Sequence, residues 1–242
     1  MKRIERHRLK ENEVALSVAR ARETFEIYRK PIIAGLVAVA LIVVAVVALA
    51  AWRRGADSDA RTMLADAMAV AEAPVVPTTP GPNTPAPSAG SFTTEKAKLE
   101  AALQKFTAAA EAHPSSEAGL AARYHAATIL ATLGRHKEAE QRYREVIDRA
   151  GSGLYGQMAR LGLANTQAAA GQYDAAIGAY KELSTQANTD LPVDAILMQL
   201  ARTYAQAGKT AEARQAFRRV SDEFPQSPYA TLATKEMGQV KN

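Results

Sequence analysis

The feature that most constrains this 242-residue chain is a repeat of 37 residues in its C-terminal part. The repeat is anchored on three glycines, Gly134, Gly171 and Gly208. A fixed period of this length is typical of arrays built from one repeated supersecondary unit. It therefore predicts a linear stack in place of a globule with one central core. Four other columns keep the same spacing: Ala127, Ala164 and Ala201; Ala139, Ala176 and Ala213; Tyr143, Tyr180 and Phe217; Val146, Leu183 and Val220.

Each period reads as two antiparallel helices joined by a tight turn at the glycine. Glycine tolerates the positive φ that ends a helix, and small residues on either side let two backbones approach closely. Each pair leaves an apolar face that only its neighbour covers, so the pairs stack. The period extends to residues 95–112, as the second helix of an earlier pair, and to residues 228–239, as a capping helix. We therefore predict an all-α helical repeat domain over residues 95–242.

The motif of one period resembles the tetratricopeptide repeat, or TPR. Gly208, Ala213, Phe217 and Pro225 stand at the spacing of that family, in which helix pairs form an α-solenoid. The resemblance covers roughly residues 95–240. It departs from the family in its period of 37 instead of 34. It also departs early in the first helix, where an aromatic residue is expected and this chain has Arg123, Arg160 and Leu197.

Residues 31–52 form an apolar run of 22 residues without a charge. As a helix this run is about 33 Å long, enough to cross a bilayer, and we predict a single transmembrane helix. A cleaved signal peptide is the alternative, because Ala48-Leu49-Ala50 resembles a processing site, but about 30 residues precede the run. Nine Lys and Arg residues before the run predict a cytoplasmic N-terminus. In a bacterium, the C-terminal domain would then be periplasmic and the anchor would lie in the inner membrane.

Three shorter segments complete the predicted organisation. Residues 1–30 form a basic cytoplasmic arm with an apolar helical stripe, which either docks on a partner or lipid or is a solvated extension. Residues 53–73 form a short amphipathic helix, and residues 74–94 form a flexible insert with six prolines. The helix over residues 53–73 either pairs with the helix over residues 95–112, with the insert forming the turn between them, or belongs to a plain tether between the membrane and the repeats.

Composition excludes several classes of function. The chain has no Cys, which excludes a disulfide scaffold, a thiol catalyst and a Cys-ligated zinc site. Of its net charge of +5, residues 1–52 carry +4, so the main body lacks the basic surface that nucleic acid requires. No phosphate-binding loop, nucleophile elbow or metal-ligand spacing of His is present. We expect no catalytic, cofactor-binding or metal site, and we expect carboxylates such as Glu138 and Glu140 on exposed faces.

The resemblance implies a site for protein partners. In TPR domains partner peptides commonly lie on the concave wall formed by the first helix of each pair. Such a wall suits an extended polypeptide held by shallow apolar contacts and backbone hydrogen bonds. For Tyr124, Leu161 and Met198, packing between helices is the open alternative. By register, the wall here would present Tyr124, Thr128, Leu161, Asn165, Met198 and Arg202.

The layout of one membrane helix followed by a small TPR array resembles the YfgM-like ancillary subunit family of the SecYEG translocon. That resemblance implies a translocon component, a chaperone or a client polypeptide as partner. The nearly neutral charge of residues 53–242 predicts no nucleic-acid partner. The segment from Phe224 to Ala230 is similar to envelope TPR proteins of the Tol-Pal and outer-membrane assembly systems. A structural scaffold that self-associates into a homo-oligomer is the alternative function.

Overall fold

The computed structural model describes residues 30, 33–48, 57–76, 90–186 and 190–240. The basic arm 1–29 and the ends of the apolar run lie outside the described residues. So do residues 77–89, which form most of the proline-rich insert. The chain divides into two compact bodies, Met1–Gly55 and Ala56–Asn242.

In the first body, residues 33–48 are helical and exposed on every face. Ten large aliphatic side chains of this stretch are more than half exposed, Leu36 and Leu41 at 65% among them. Within the parts of the chain that the structure describes, no helix combines the length and the apolar character needed to cross a bilayer.

The second body is a succession of antiparallel helices, each packed on the next along the chain. The first of them, α1, covers residues 57–71. Among the described residues, these helices form four pairs followed by a single helix. The remaining helices are α2 (Glu95–Ala112), α3 (Glu117–Thr132), α4 (His136–Ala150), α5 (Leu154–Ala169), α6 (Tyr173–Thr185), α7 (Val193–Gln206), α8 (Thr210–Glu223) and α9 (Ala230–Gln239).

The three turn glycines end α3, α5 and α7 in the same way. Gly134, Gly171 and Gly208 have φ values of 73°, 77° and 73°, as the sequence predicts. After Gly134, the Arg135 N–H donates to the Leu130 carbonyl at 2.9 Å, while the Gly134 N–H donates to the Ala131 carbonyl at 3.0 Å. These two bonds satisfy carbonyls at the end of α3 that otherwise have no helical partner.

The small-residue columns are the points of closest packing between helices. The six alanines before and after the turn glycines are all 0% exposed. The aromatic column fills the space toward the next pair: a Cβ placed on Gly162 of α5 would lie 2.5 Å from the Tyr143 ring of α4. Glycine at position 162 therefore makes room for the Tyr143 side chain of the preceding pair.

Arginine replaces the expected aromatic residue early in the first helix, and the structure gives the physical reason. The Arg123 guanidinium donates to the Ala110 carbonyl at 3.0 Å, at the end of α2. Arg160 donates to the Gly151 carbonyl at 2.9 Å, at the end of α4. A cation at a helix C-terminus satisfies a free carbonyl and favours the helix dipole. Leu197, in the same column, is buried in the apolar core.

Helix α1 packs as the partner of α2. Its Ala67 is fully buried in the same apolar cluster as Leu103 and Phe106 of α2. The two ends of the intervening segment are joined by two backbone hydrogen bonds, from Val76 N–H to the Phe92 carbonyl at 2.8 Å and from Phe92 N–H to the Pro74 carbonyl at 3.0 Å. The segment with the prolines thus leaves and re-enters the fold at one point, at the turn between these helices.

Candidate functional site

The first helices of successive pairs lie on the inner side of a curve. Helix α3 contacts α5, and α5 contacts α7. Among the described helices, α2, α4, α6 and α8 make no comparable contact with one another. Because the first helices approach one another and the second helices spread apart, the surface formed by α3, α5 and α7 is concave. We call this surface the first-helix face.

The first-helix face is poor in charge. Helices α3, α5 and α7 carry five charged side chains between them, Glu117, Arg123, Arg160, Asp194 and Arg202, and Arg123 is buried. Helix α4 alone carries eight. The second helices therefore form the solvated outer surface, and the first helices leave a mainly uncharged inner surface. An uncharged surface costs little to desolvate when a polypeptide covers it.

Five of the six predicted site residues have side chains that are at least partly exposed on this face, and the sixth is buried. Thr128 and Asn165 are exposed, and Tyr124, Leu161 and Arg202 are half-buried. Met198 is 1% exposed and belongs to the apolar core, so its assignment to the wall is wrong and its alternative, packing between helices, is correct. Leu161 also packs partly against that core.

A hydrogen bond recurs between the aromatic column and this face. The Tyr143 hydroxyl donates to Thr128 Oγ1 at 3.1 Å, and the Tyr180 hydroxyl donates to Asn165 Oδ1 at 2.6 Å. Burial raises the pKa of both tyrosines, so both hydroxyls keep their protons and remain donors at neutral pH. In these two pairs the buried aromatic residue thereby orients an exposed polar side chain of the same pair.

The third pair uses a different interaction at the same position. Phe217 has no hydroxyl, and Arg202 instead forms two hydrogen bonds to the Glu236 carboxylate of α9, at 2.8 and 2.6 Å. The Arg202 guanidinium lowers the pKa of Glu236 below its usual range. This ion pair holds the last helix against the face. It borders a groove of about 550 Å³ lined by Arg202, Ala205, Gln206, Thr210, Phe217, Glu236, Gln239 and Val240.

Sequence reasoning missed a cluster of aromatic rings around Tyr124. Its ring lies 5.6 Å from His125, 6.0 Å from Tyr143 and 5.9 Å from Tyr155, measured between ring centroids. His125 also stacks on Phe106 at 5.1 Å, and its burial lowers its pKa. Tyr155 was not assigned to the wall, although its place near the start of α5 puts it beside α3. Pairing of neighbouring first helices is the signal that would have found it.

Glu140 differs from the sequence expectation. It is 6% exposed, and its carboxylate accepts hydrogen bonds from Arg144 at 2.9 Å and from Gln172 of the next pair at 2.8 Å. Glu138 is exposed as expected. Glu138 forms an ion pair with Arg135 and Glu140 forms one with Arg144, each three or four residues away along the chain. Within the described ranges no group of three His, Asp or Glu is placed to hold a metal ion.

Comparison with known proteins identifies the repeats. A family model described as tetratricopeptide repeat matches residues 167–236, and a second model with the same description matches residues 95–154. A search of curated proteins finds no significant match.

Two crystal structures of a kinesin light chain-like protein from Podosopora anserina, with nearly identical TPR-like repeats, have the same fold. Each matches with a TM-score of 0.52 at 16% identity and covers 60% of this chain. The matches cover 78% and 79% of the fungal chains. At this identity the likeness concerns the fold alone.

Proposed function

We propose that this chain, which contains tetratricopeptide repeats, is a membrane-anchored protein that binds other proteins through its first-helix face. The observation that carries the proposal is the contrast between an uncharged inner surface and a charged outer one. TPR repeats imply protein–protein interaction, and the first-helix face is suited to it. The proposed action is binding, with no chemical conversion of the partner.

Three parts of the first-helix face support binding of an extended polypeptide. The ring of Tyr124 and the side chain of Leu161 offer half-buried apolar area. The Asn165 amide is exposed and held by Tyr180, so a ligand finds it already oriented. Preorganised polar groups bind more tightly because less rotamer entropy is lost on binding. These residues are the proposed contacts, together with Thr128 and Arg202.

The proposed anchor rests on the sequence of residues 31–52. The run is uncharged, bounded by Arg29-Lys30 and Arg53-Arg54, and its described part, 33–48, is a helix with exposed aliphatic side chains on all sides. A helix that is apolar all round needs an apolar environment. Nine basic residues before the run favour an N-terminus in the cytoplasm and a repeat domain on the other side.

The proposed role is in envelope protein biogenesis. The partner would be a translocon component, a chaperone or a client polypeptide, as the layout of anchor and array implies. A scaffold of the Tol-Pal or outer-membrane assembly type, in which the array self-associates, is the alternative.

Site-specific photo-crosslinking in cells tests the partner. A photo-reactive amino acid is placed at Asn165 or Thr128 on the first-helix face, and at the exposed Arg218 of α8 as the matched control. The proposal expects adducts with other proteins from the first two positions and not from the third. Adducts only with a second copy of this chain would support the scaffold. Equal adducts from all three positions would contradict a specific surface.

The anchor is tested separately, by fusing a reporter that is active only outside the cytoplasm to Asn242. Activity of the reporter, together with resistance of the full chain to alkaline extraction from membranes, is the expected result. A chain released by alkali would show that residues 31–52 do not span the bilayer.

A further inference from the structure

One carboxylate lies beside the aromatic rings where α3 meets α5. Glu117, in the first turn of α3, is exposed, and within the parts of the chain that the structure describes it has no ion-pair partner. Tyr124 follows two helical turns later and therefore lies on the same side of α3. Tyr155, in the first turn of α5, has its ring centroid 5.9 Å from that of Tyr124. One negative charge and two rings are thus neighbours on the first-helix face.

The charge that acts on these rings is negative. Burial raises the pKa of Tyr155, and the Glu117 carboxylate raises it further, because a nearby negative charge disfavours the phenolate form. Helices α3 and α5 are the first helices of adjacent pairs and contact one another, so their first turns lie at the same end of the face. His125, which also contacts Tyr124, is uncharged at neutral pH because burial lowers its pKa.

The arginines nearest in sequence to the two tyrosines are held by other groups. Arg123 is buried and donates to the Ala110 carbonyl at 3.0 Å. Arg160 donates to the Gly151 carbonyl at 2.9 Å. Within the described ranges neither guanidinium pairs with Glu117, so a cation that neutralises this carboxylate has to come from a bound molecule.

A cationic side chain matches both the rings and the carboxylate. The face of an aromatic ring attracts a cation placed within about 6 Å of the ring centroid. The Tyr124 and Tyr155 rings are inclined by 55° and are not stacked face to face, so neither ring covers the face of the other. Both side chains are half-buried and leave part of their surface open to a ligand. A carboxylate beside the rings adds a charge-assisted hydrogen bond.

Other side chains match this arrangement less well. An acidic side chain is repelled by Glu117. An apolar side chain removes water from the carboxylate without replacing its hydrogen bonds, which costs free energy. A basic side chain donates to the Glu117 carboxylate, and the tyrosine hydroxyl oxygens are able to accept from it as well.

We infer that Tyr124, Tyr155 and Glu117 bind a basic side chain, lysine or arginine, of an extended partner polypeptide. The rings cover the side chain, and the Glu117 carboxylate accepts its N–H groups. The rest of the first-helix face is poor in charge, so the expected ligand is one basic residue in an otherwise uncharged segment. The inference rests on the proposed function of the first-helix face and names the chemistry that one end of that face recognises.

Fluorescence anisotropy with the full chain in a non-ionic detergent tests the inference. The probe is a labelled synthetic peptide, Ser-Ala-Ala-Arg-Ala-Ala-Ser, and empty detergent micelles give the background. The matched peptide has citrulline, an uncharged analogue of nearly the same shape, in place of arginine. We expect the arginine peptide to bind about tenfold more tightly, because citrulline loses the attraction to both the rings and the carboxylate.

Protein variants separate the charge from the rings. Glu117→Gln removes the charge and keeps the shape, and we expect the preference for arginine over citrulline to fall about threefold or more. The matched control is Glu212→Gln, which removes an exposed carboxylate from the first turn of the second helix α8 and should leave the preference unchanged.

Two double variants test the rings. Replacing Tyr124 and Tyr155 together by phenylalanine keeps the ring faces and should retain most of the preference for arginine. Replacing both by leucine removes the ring faces and should lower that preference by about threefold or more. Circular dichroism shows whether each variant keeps its helix content.

The outcomes distinguish this inference from the function on which it rests. Equal affinity for the two peptides, or no binding of the arginine peptide, would overturn the assignment of a basic ligand. An unchanged preference in Glu117→Gln, or an equal loss in Glu212→Gln, would overturn the role of Glu117. If Asn165 still gave partner adducts in cells, the first-helix face would remain a binding surface for a ligand of other chemistry.

Discussion

The Tyr180 hydroxyl donates a hydrogen bond of 2.6 Å to Asn165 Oδ1, and so links the buried aromatic column to the exposed face of the array. Tyr180 is 1% exposed, whereas Asn165 is exposed. The bond fixes the orientation of the Asn165 amide. A position that the repeat uses for packing therefore also sets the orientation of a surface residue.

Replacing Tyr180→Phe is expected to lower the free energy of unfolding by about 1 kcal/mol, because the hydrogen bond to Asn165 is lost while the ring packing is retained. Urea unfolding of the full chain followed by circular dichroism measures the change. The control is Tyr173→Phe, for which the structure shows no such bond. Equal stability of the Tyr180→Phe variant and the parent chain would mean that this bond contributes nothing net.

Replacing Gly162→Ala is expected to destabilise the array by about 1–3 kcal/mol, because the new methyl group overlaps the Tyr143 ring and forces it to move. A Cβ at position 162 would lie 2.5 Å from Tyr143 Cε1 and Cζ. Gly178→Ala is the matched control in α6, where a Cβ meets nothing within 4 Å. That variant should stabilise the helix by about 0.5–1 kcal/mol. Thermal unfolding compares the two, and a Gly162→Ala variant as stable as Gly178→Ala would contradict the close packing.

The Arg202–Glu236 pair predicts a pH dependence of stability. The pKa of Glu236 is lowered chiefly by its hydrogen bond from Arg202, so its stabilising contribution is present above the unfolded-state pKa and is lost as pH falls through the lowered folded value. Both side chains are partly exposed, at 35% and 22%, so solvent screening limits the effect to about 0.5–1 kcal/mol.

Urea unfolding at pH 7 and pH 3 measures this effect. The Glu236→Gln variant should lose less stability between the two pH values than the parent chain does. The control is Glu138→Gln, which removes a carboxylate that is 56% exposed and should alter the difference less. If Glu236→Gln had the same pH dependence as the parent, the ion pair would not contribute.

Replacing residues 77–89 by Gly-Ser-Gly is expected to keep the fold and to stabilise it by up to about 1 kcal/mol, because a shorter loop loses less entropy on closure. The two backbone hydrogen bonds between Pro74, Val76 and Phe92 already hold the ends of the segment together. Circular dichroism and thermal unfolding measure the result. A large loss of stability would show that residues 77–89 contribute packing to the array.

Much of the candidate site followed from register. The spacing of the turn glycines placed Thr128 and Asn165 correctly on the exposed side of the first helices. The same register placed Met198 there as well, although it is buried. One-dimensional spacing gives the direction of a side chain from its helix but not the depth to which neighbouring helices cover it. Tyr155 was missed for a related reason. It contacts Tyr124 of a different repeat, and spacing within one repeat does not reveal contacts between repeats.

The sequence by itself determined the pairing of helices, the turns and the family of the repeat. These depend on local properties, the positive φ of glycine and the volume of alanine, that recur every 37 residues. Only the tertiary structure decided which side chains of the first helices remain exposed, that Glu140 is buried between repeats, and that Arg202 pairs with Glu236. Those outcomes depend on distances between helices far apart in the chain, and such distances are fixed when the pairs stack and curve.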